Sequence, residues 1–258
     1  MYGLNTRNNF MQRYFIRLSF DGKPFHGWQV QKNSNSIQAE LNKALCILLK
    51  RDQIETVGCG RTDTGVHAKK FYAHFDTNTI ADTETIVHQL NSILPHQITV
   101  QSIFPVDKNA HARYDAISRT YTYRMYFQRN PFLREWAYYY PNPVDAARMN
   151  IFANKLKDYS DFSSFSKSNT QTLTNICIIT FAEWKQEGDE LVFTITADRF
   201  LRNMVRAIVG TLLKAGVDKL SENDFAVILK SKNRSEAGFS VPAHGLYLTD
   251  IVYPFSVI

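Results

Sequence analysis

Apolar and polar positions alternate over residues 14–20, in a run rich in aromatic and β-branched side chains, and Asp21-Gly22 supplies turn chemistry directly after it. That pattern predicts an opening strand. From Ser36 onward Ile37, Leu41, Leu45 and Leu48 recur at spacings of three and four, so a helix is expected from a Ser36 N-cap to about Lys50. Residues 54–59 and 71–75 read as two further strands. Asp82 can cap a second helix running to Leu94, where Pro95 stops it, and residues 98–104 make a fourth strand. A second series begins with a strand at 121–127 and continues with a helix at about 144–156, strands at 174–184 and 191–197, and a helix at 200–215. A short extra helix, 221–230, precedes the last strand at 246–253.

Both series run β-α-β-β-α-β, the second with one insertion, although no sequence repeat links them. The expected class is α+β: two ferredoxin-like or RRM-like halves joined edge to edge into one mostly antiparallel sheet, with helices on one face and a cleft between the halves where a polyanion would lie. The organisation that follows is an N-terminal extension at 1–13, a first half at 14–112 carrying a long loop at 58–70, and a second half at 113–258.

Composition narrows the classes without choosing among them. A chain of 258 residues with 44% apolar and 21% charged residues can bury a substantial core, which excludes a disordered protein. Lys and Arg number 30 against 24 Asp and Glu, a net +6 that would attract polyanions if gathered on one face. Cys46, Cys59 and Cys177 are too few and too far apart for a disulfide framework or a CxxC zinc site, which points to a reducing interior. No apolar stretch approaches membrane-spanning length and the first residues lack a signal-peptide core, so a cytoplasmic location is expected. His67 and His74 have no clustered Cys, Asp or Glu companions, so no metal is expected.

Candidate chemistry collects in three segments. The connection at 60–70 is far longer than a hairpin needs; Gly58, Gly60 and Gly65 allow unusual backbone angles around Asp63, with Arg61, His67, Lys69 and Lys70 as nearby positive charge. Asp63 is either a reacting carboxylate or a turn cap flanked by Thr62 and Thr64. Arg202 and Arg206 lie four apart in the expected helix, a repulsive spacing that an anion beside them would turn into a gain; otherwise both stretch into water along a solvated face. In Arg119-Thr120-Tyr121-Thr122-Tyr123-Arg124 the two tyrosines share one strand face, where they either stack on a base or fill the core.

Taken together these segments resemble the tRNA pseudouridine synthase A family. Residues 58–68, Gly-Cys-Gly-Arg-Thr-Asp-Thr-Gly-Val-His-Ala, look like its catalytic segment. His111-Ala112-Arg113-Tyr114-Asp115-Ala116 leading to Arg119 and Tyr121, then Phe200-Leu201-Arg202-Asn203-Met204-Val205-Arg206, are similar to its next two motifs in the right order. Phe25-His26-Gly27-Trp28-Gln29, Asp161-Phe162-Ser163-Ser164-Phe165 and Gly245-Leu246-Tyr247-Leu248 extend the likeness over nearly the whole chain. Phe20 stands where many members have Tyr, and Thr64 where some have Ala. The resemblance implies isomerisation of uridine in the anticodon arm of tRNA, at nucleotides 38 to 40, by an enzyme that needs no cofactor and forms a homodimer. It implies Asp63 as nucleophile or base, Arg206 as its ion-pair partner and Tyr121 stacked on the flipped uracil. Arg61, Thr62, His67, Arg202 and Leu246 are the further substrate-binding positions it suggests.

Two other readings compete on the same residues. Asp63-Thr64-Gly65 also matches the Asp-Thr-Gly of aspartic proteases, but Gly60-Arg61-Thr62 would set a cation beside a shared proton. A non-enzymatic RNA-binding protein of two RRM-like units fits the architecture, yet an RNP1-type aromatic strand is missing and a binder has no need of Asp63 in a basic loop.

Overall fold

A computed structural model describes residues 11–167 and 174–256. The first series of elements is β1 (Met11–Phe20), α1 (Ile37–Leu49), β2 (Val57–Gly58), β3 (His67–Asn78), α2 (Thr83–Ile93) and β4 (Ile98–Pro105). The second is β5 (Ser118–Tyr126), β6 (Tyr138–Tyr139), α3 (Ala146–Lys155), β7 (Ile179–Glu187), β8 (Glu190–Ala197), α4 (Met204–Gly216), α5 (Glu222–Ser231) and β9 (Leu246–Val252). The fold is α+β, with five α-helices among the described residues and one nine-stranded mixed, mostly antiparallel sheet. No helix among them is long and apolar enough to cross a membrane.

The local signals work as their chemistry predicts. Ser36 Oγ accepts the Ala39 N–H at 3.3 Å, and Ile37, Leu41 and Leu45 make the buried stripe of α1. Asp82 caps α2 through the Thr85 N–H, and Ser221 with Asp224 closes a capping box on α5. Boundaries differ where tertiary partners extend or shorten an element. β1 starts at Met11, inside the expected extension, because Arg13 grips Asp76 across the β1–β3 pair through two 2.8 Å hydrogen bonds. β7 starts at Ile179 rather than 174, since the Ile178 N–H is taken by the Asp198 carboxylate at 2.7 Å. α4 starts at Met204 rather than 200: Asn203 adopts the left-handed region with φ 67° and ties its side chain to Ser240 Oγ at 2.6 Å.

Strand order across the sheet is β4-β1-β3-β9-β5-β8-β7, with β2 on β3 and β6 on β5. The two series meet at β3 and β9, which run parallel and share only the pairs His67↔Tyr247 and Ala68↔Leu248. Further along that same edge, β3 is paired instead with β2, at Ala73 and His74. Residues 59–66 therefore leave the sheet in the gap where β3 and β9 part. Two apolar cores flank this junction, one around Trp28, Phe71 and Phe75 and the other around Trp184, Phe193 and Ile208. They exchange residues: Val66 of the first series packs in the second core, and Leu248, Ile251 and Tyr253 pack in the first. Tyr121 packs against both.

His74 in β3 is buried and accepts the Ala112 N–H at Nδ1, 3.1 Å away. Burial pushes its imidazole down to about 4, with the charges of Arg13 and His111 acting in the same direction and Asp76 and Asp115 opposing. An unfolded histidine takes up a proton near pH 6.5 while the folded one stays neutral, so this contribution to stability is complete above about pH 6.5. It is lost progressively as the pH falls toward about 4. The thermal midpoint should drop between pH 7 and pH 5, and His74→Gln, which keeps an acceptor that does not titrate, should flatten that drop; an equally steep fall in the variant would assign it to other groups.

Candidate active site

Residues 59–66 are shaped by a four-residue turn. The Val66 N–H donates to the Asp63 carbonyl at 3.1 Å, and Gly65, at the third position, has φ +77°. That geometry is type II-like and needs a residue that tolerates positive φ. Beneath it runs the 25–28 segment: the Trp28 N–H points to the Thr62 carbonyl at 3.4 Å, and a Cβ on Gly27 would stand 2.3 Å from the same oxygen. Only glycine lets the two backbones approach this closely.

The turn presents Asp63, whose side chain is 24% exposed, to two arginines. Arg206 Nη1 lies 3.5 Å from Oδ2 and Arg202 Nε lies 3.6 Å from Oδ1. Arg206 is the sheltered partner, its own Nε donating to the Val241 carbonyl at 2.7 Å, while Arg202 is mostly in solvent. Both separations exceed the 2.7–2.9 Å or so of a charge-assisted hydrogen bond, so the two cations flank the carboxylate without engaging its oxygens closely. Arg202 precedes α4 rather than riding on it, so the expected i, i+4 helix pair becomes one arginine in the turn and one in the first helical turn.

Tyr121 lies in the middle of β5, half-buried, with its ring edge-on to Phe200 at 5.1 Å and 85°. Burial raises its hydroxyl, and the charge of Asp63 adds to the rise against the pull of Arg119, so the phenol stays protonated across the physiological range. Tyr123, two residues on, is fully buried and donates to the Pro242 carbonyl at 2.9 Å. The two tyrosines separate into one core residue and one residue of the seam.

Several positions suggested by the resemblance lie elsewhere. His67 begins β3 and is 2% exposed, so it is a support of the loop and not a group offered to a ligand. Its Nδ1 accepts the Gly22 N–H at 3.2 Å beside Asp21, its Nε2 donates to the His244 carbonyl at 3.2 Å, and burial lowers its affinity for a proton. Leu246 is 6% exposed inside the second core and acts there as packing. Thr62 is buried, and its hydroxyl oxygen has no hydrogen-bond partner among the described residues. Arg61 is exposed, with Nε 3.3 Å from Gln29 Oε1. Lys69 and Lys70 belong to β3, Lys70 pairing with Asp250 at 2.6 Å; the cations beside Asp63 come instead from the far end of the sequence.

The comparisons with known proteins bear on the same residues. A sequence model described as tRNA pseudouridine synthase matches residues 154–254. Proteins named tRNA pseudouridine synthase A are similar over almost the whole chain. One from Bacteroides fragilis is 50% identical, covering 95% of this chain and 97% of its own. Another from Bacillus subtilis is 38% identical, covering 92% and 97%. The chain belongs to the tRNA pseudouridine synthase A family. In this member of the tRNA pseudouridine synthase A family two residues that the motifs contain support the site in a way that the motifs do not reveal. Asn203, left-handed before α4, turns Arg202 back toward Asp63, and Arg119 joins segments far apart in sequence. An asparagine at the head of an apolar helical run is the only sequence signal for the first.

Proposed function

We propose that this chain isomerises uridine to pseudouridine in tRNA, within the anticodon stem-loop, and that Asp63 begins the reaction. The observation that carries the reading is the partly sheltered Asp63 carboxylate, flanked by Arg202 and Arg206 at 3.6 and 3.5 Å with no closer partner on its oxygens among the described residues. The family membership supports the substrate and the reaction. The bond from C1′ to N1 of uracil breaks, the ring turns, C5 bonds to C1′ and loses its proton, and N1 gains one. No electron or group enters or leaves, so the chemistry balances without a cofactor. Asp63 serves as nucleophile toward the sugar or the ring, or as base. Its partly enclosed position limits the water that could carry off the detached uracil.

The two series, 14–112 and 113–258, are proposed as ferredoxin-like halves, with the gap between β3 and β9 as the cleft that receives the flipped nucleotide. Arg61 would contact a phosphate or fill the space left by the base. A tRNA is longer than one such subunit, so we assign a homodimer in the cytoplasm, each RNA touching both chains and doubling a net charge of +6. The test is incubation with unmodified tRNA transcripts followed by chemical mapping of pseudouridine. Formation in the anticodon arm supports the reading, and inactivity on every transcript leaves a binding protein. Affinity should fall steeply with salt and the free protein should have twice the monomer mass; a monomer indifferent to salt would contradict the dimer and the phosphate contacts together.

Tyr121 is proposed to stack on the flipped uracil. Tyr121→Phe keeps the ring and Tyr121→Leu removes it, so Phe should retain much the higher isomerisation rate, stacking being worth about 1–3 kcal/mol per base. Equal losses in the two variants would move the burden to the hydroxyl.

A further inference from the structure

The two arms that bring opposite charges together meet at one guanidinium outside the site. Arg119 stands near the start of β5, half-buried, and all four of its hydrogen-bond acceptors are main-chain carbonyls. Nη2 donates to the Cys59 carbonyl at 3.0 Å and to that of Arg113. Nη1 donates to the Asp198 carbonyl at 2.7 Å and to that of Ala116 at 3.1 Å. Cys59 lies four residues before Asp63, and Asp198 lies four residues before Arg202. One side chain therefore fixes the root of the carboxylate's arm against the root of the arginine's arm.

We infer that Arg119 is a positioning residue that sets the open spacing between Asp63 and its two arginines, and so keeps the carboxylate free to react. Attraction between Asp63 and the guanidinium groups favours collapse into a close bidentate pair, in which both oxygens would be occupied. The contacts stand instead at 3.5 and 3.6 Å. Arg206 is restrained on its side by the Val241 carbonyl, and the two arms are restrained by Arg119. Arginine suits the task because its planar fork directs five donors in fixed directions, whereas lysine is a point charge with three rotatable donors.

The inference rests on Asp63 being the reacting group, so Asp63→Asn is run beside it. The experiment is single-turnover pseudouridine formation at saturating enzyme, tRNA affinity, and a crystal structure of Arg119→Lys. Misplacing the carboxylate by about 1 Å should lower the rate at saturation about 100-fold while tRNA affinity stays within about twofold. The Asp63 to Arg206 distance should close to about 2.8 Å. Arg119→Met should lose the rate in the same way; if it does not fold, Arg119→Lys alone decides. A parental rate in Arg119→Lys, or a rate and an affinity that fall together with the folded fraction at unchanged spacing, would overturn the clamp. Substantial activity of Asp63→Asn would instead overturn the underlying assignment, so the two failures are told apart.

Discussion

Asp63→Asn should abolish isomerisation, lowering the single-turnover rate by at least about 10³-fold, while tRNA affinity stays near that of the parent. The amide has nearly the carboxylate's size but carries no charge, so it can neither attack carbon nor take a proton. Binding should persist because phosphate contacts supply most of the affinity for a nucleic acid, and one neutralised carboxylate does not remove them. Folding should also persist: the turn is closed by main-chain groups of Asp63 and Val66 and by Gly65, none of which the substitution alters. Pseudouridine mapping and a filter-binding titration on the same preparation check both halves. Turnover within about tenfold of the parent would remove Asp63 from the chemistry.

Arg206→Met should damage both activity and stability. It leaves Asp63 in its partly sheltered position facing only Arg202, which is 60% exposed, and it leaves the Val241 carbonyl without its 2.7 Å donor. Losing one member of a buried ion pair costs about 3–5 kcal/mol. Asp63 and Arg206 each keep a fifth to a quarter of their side-chain surface in solvent, which brings the expectation down to about 2 kcal/mol. The rate should fall about 100-fold or more, since an unpaired carboxylate no longer holds its place. Denaturant unfolding of both single variants and of Asp63→Asn with Arg206→Met together gives the coupling directly. If the pair matters, the double variant recovers part of the stability lost in Arg206→Met; strictly additive losses would show that the two side chains do not interact.

The membership of the strands and helices was largely legible in the sequence, because the signals involved are local. Caps at Ser36, Asp82 and Ser221 and the apolar periodicity of α1 operate over a few residues, and each stands where its chemistry put it. Strand β6 and the late start of α4 were not legible. β6 exists because residues 138 and 139 find an unoccupied edge of β5, and α4 is delayed because Asn203 finds Ser240. Both causes lie outside any local window.

For the site, the sequence by itself determined which residue types are available and which backbone positions must bend. Asp63 in a glycine-bounded segment, an arginine pair at the start of an apolar helical run and an aromatic strand all stand in the chain as written. Tertiary structure alone decided which charges meet. The basic residues near Asp63 in sequence were drawn away: His67, buried and short of a proton, into the sheet junction, Lys70 to Asp250, and Arg61 toward Gln29. Arg202 and Arg206, about 140 residues further on, took their place. The physical reason is that Coulomb attraction depends on separation in space and on shielding from water, whereas sequence order controls separation only over a turn or two. Beyond that reach, the parting of β3 and β9 and the carbonyls gathered by Arg119 determine which side chains come close.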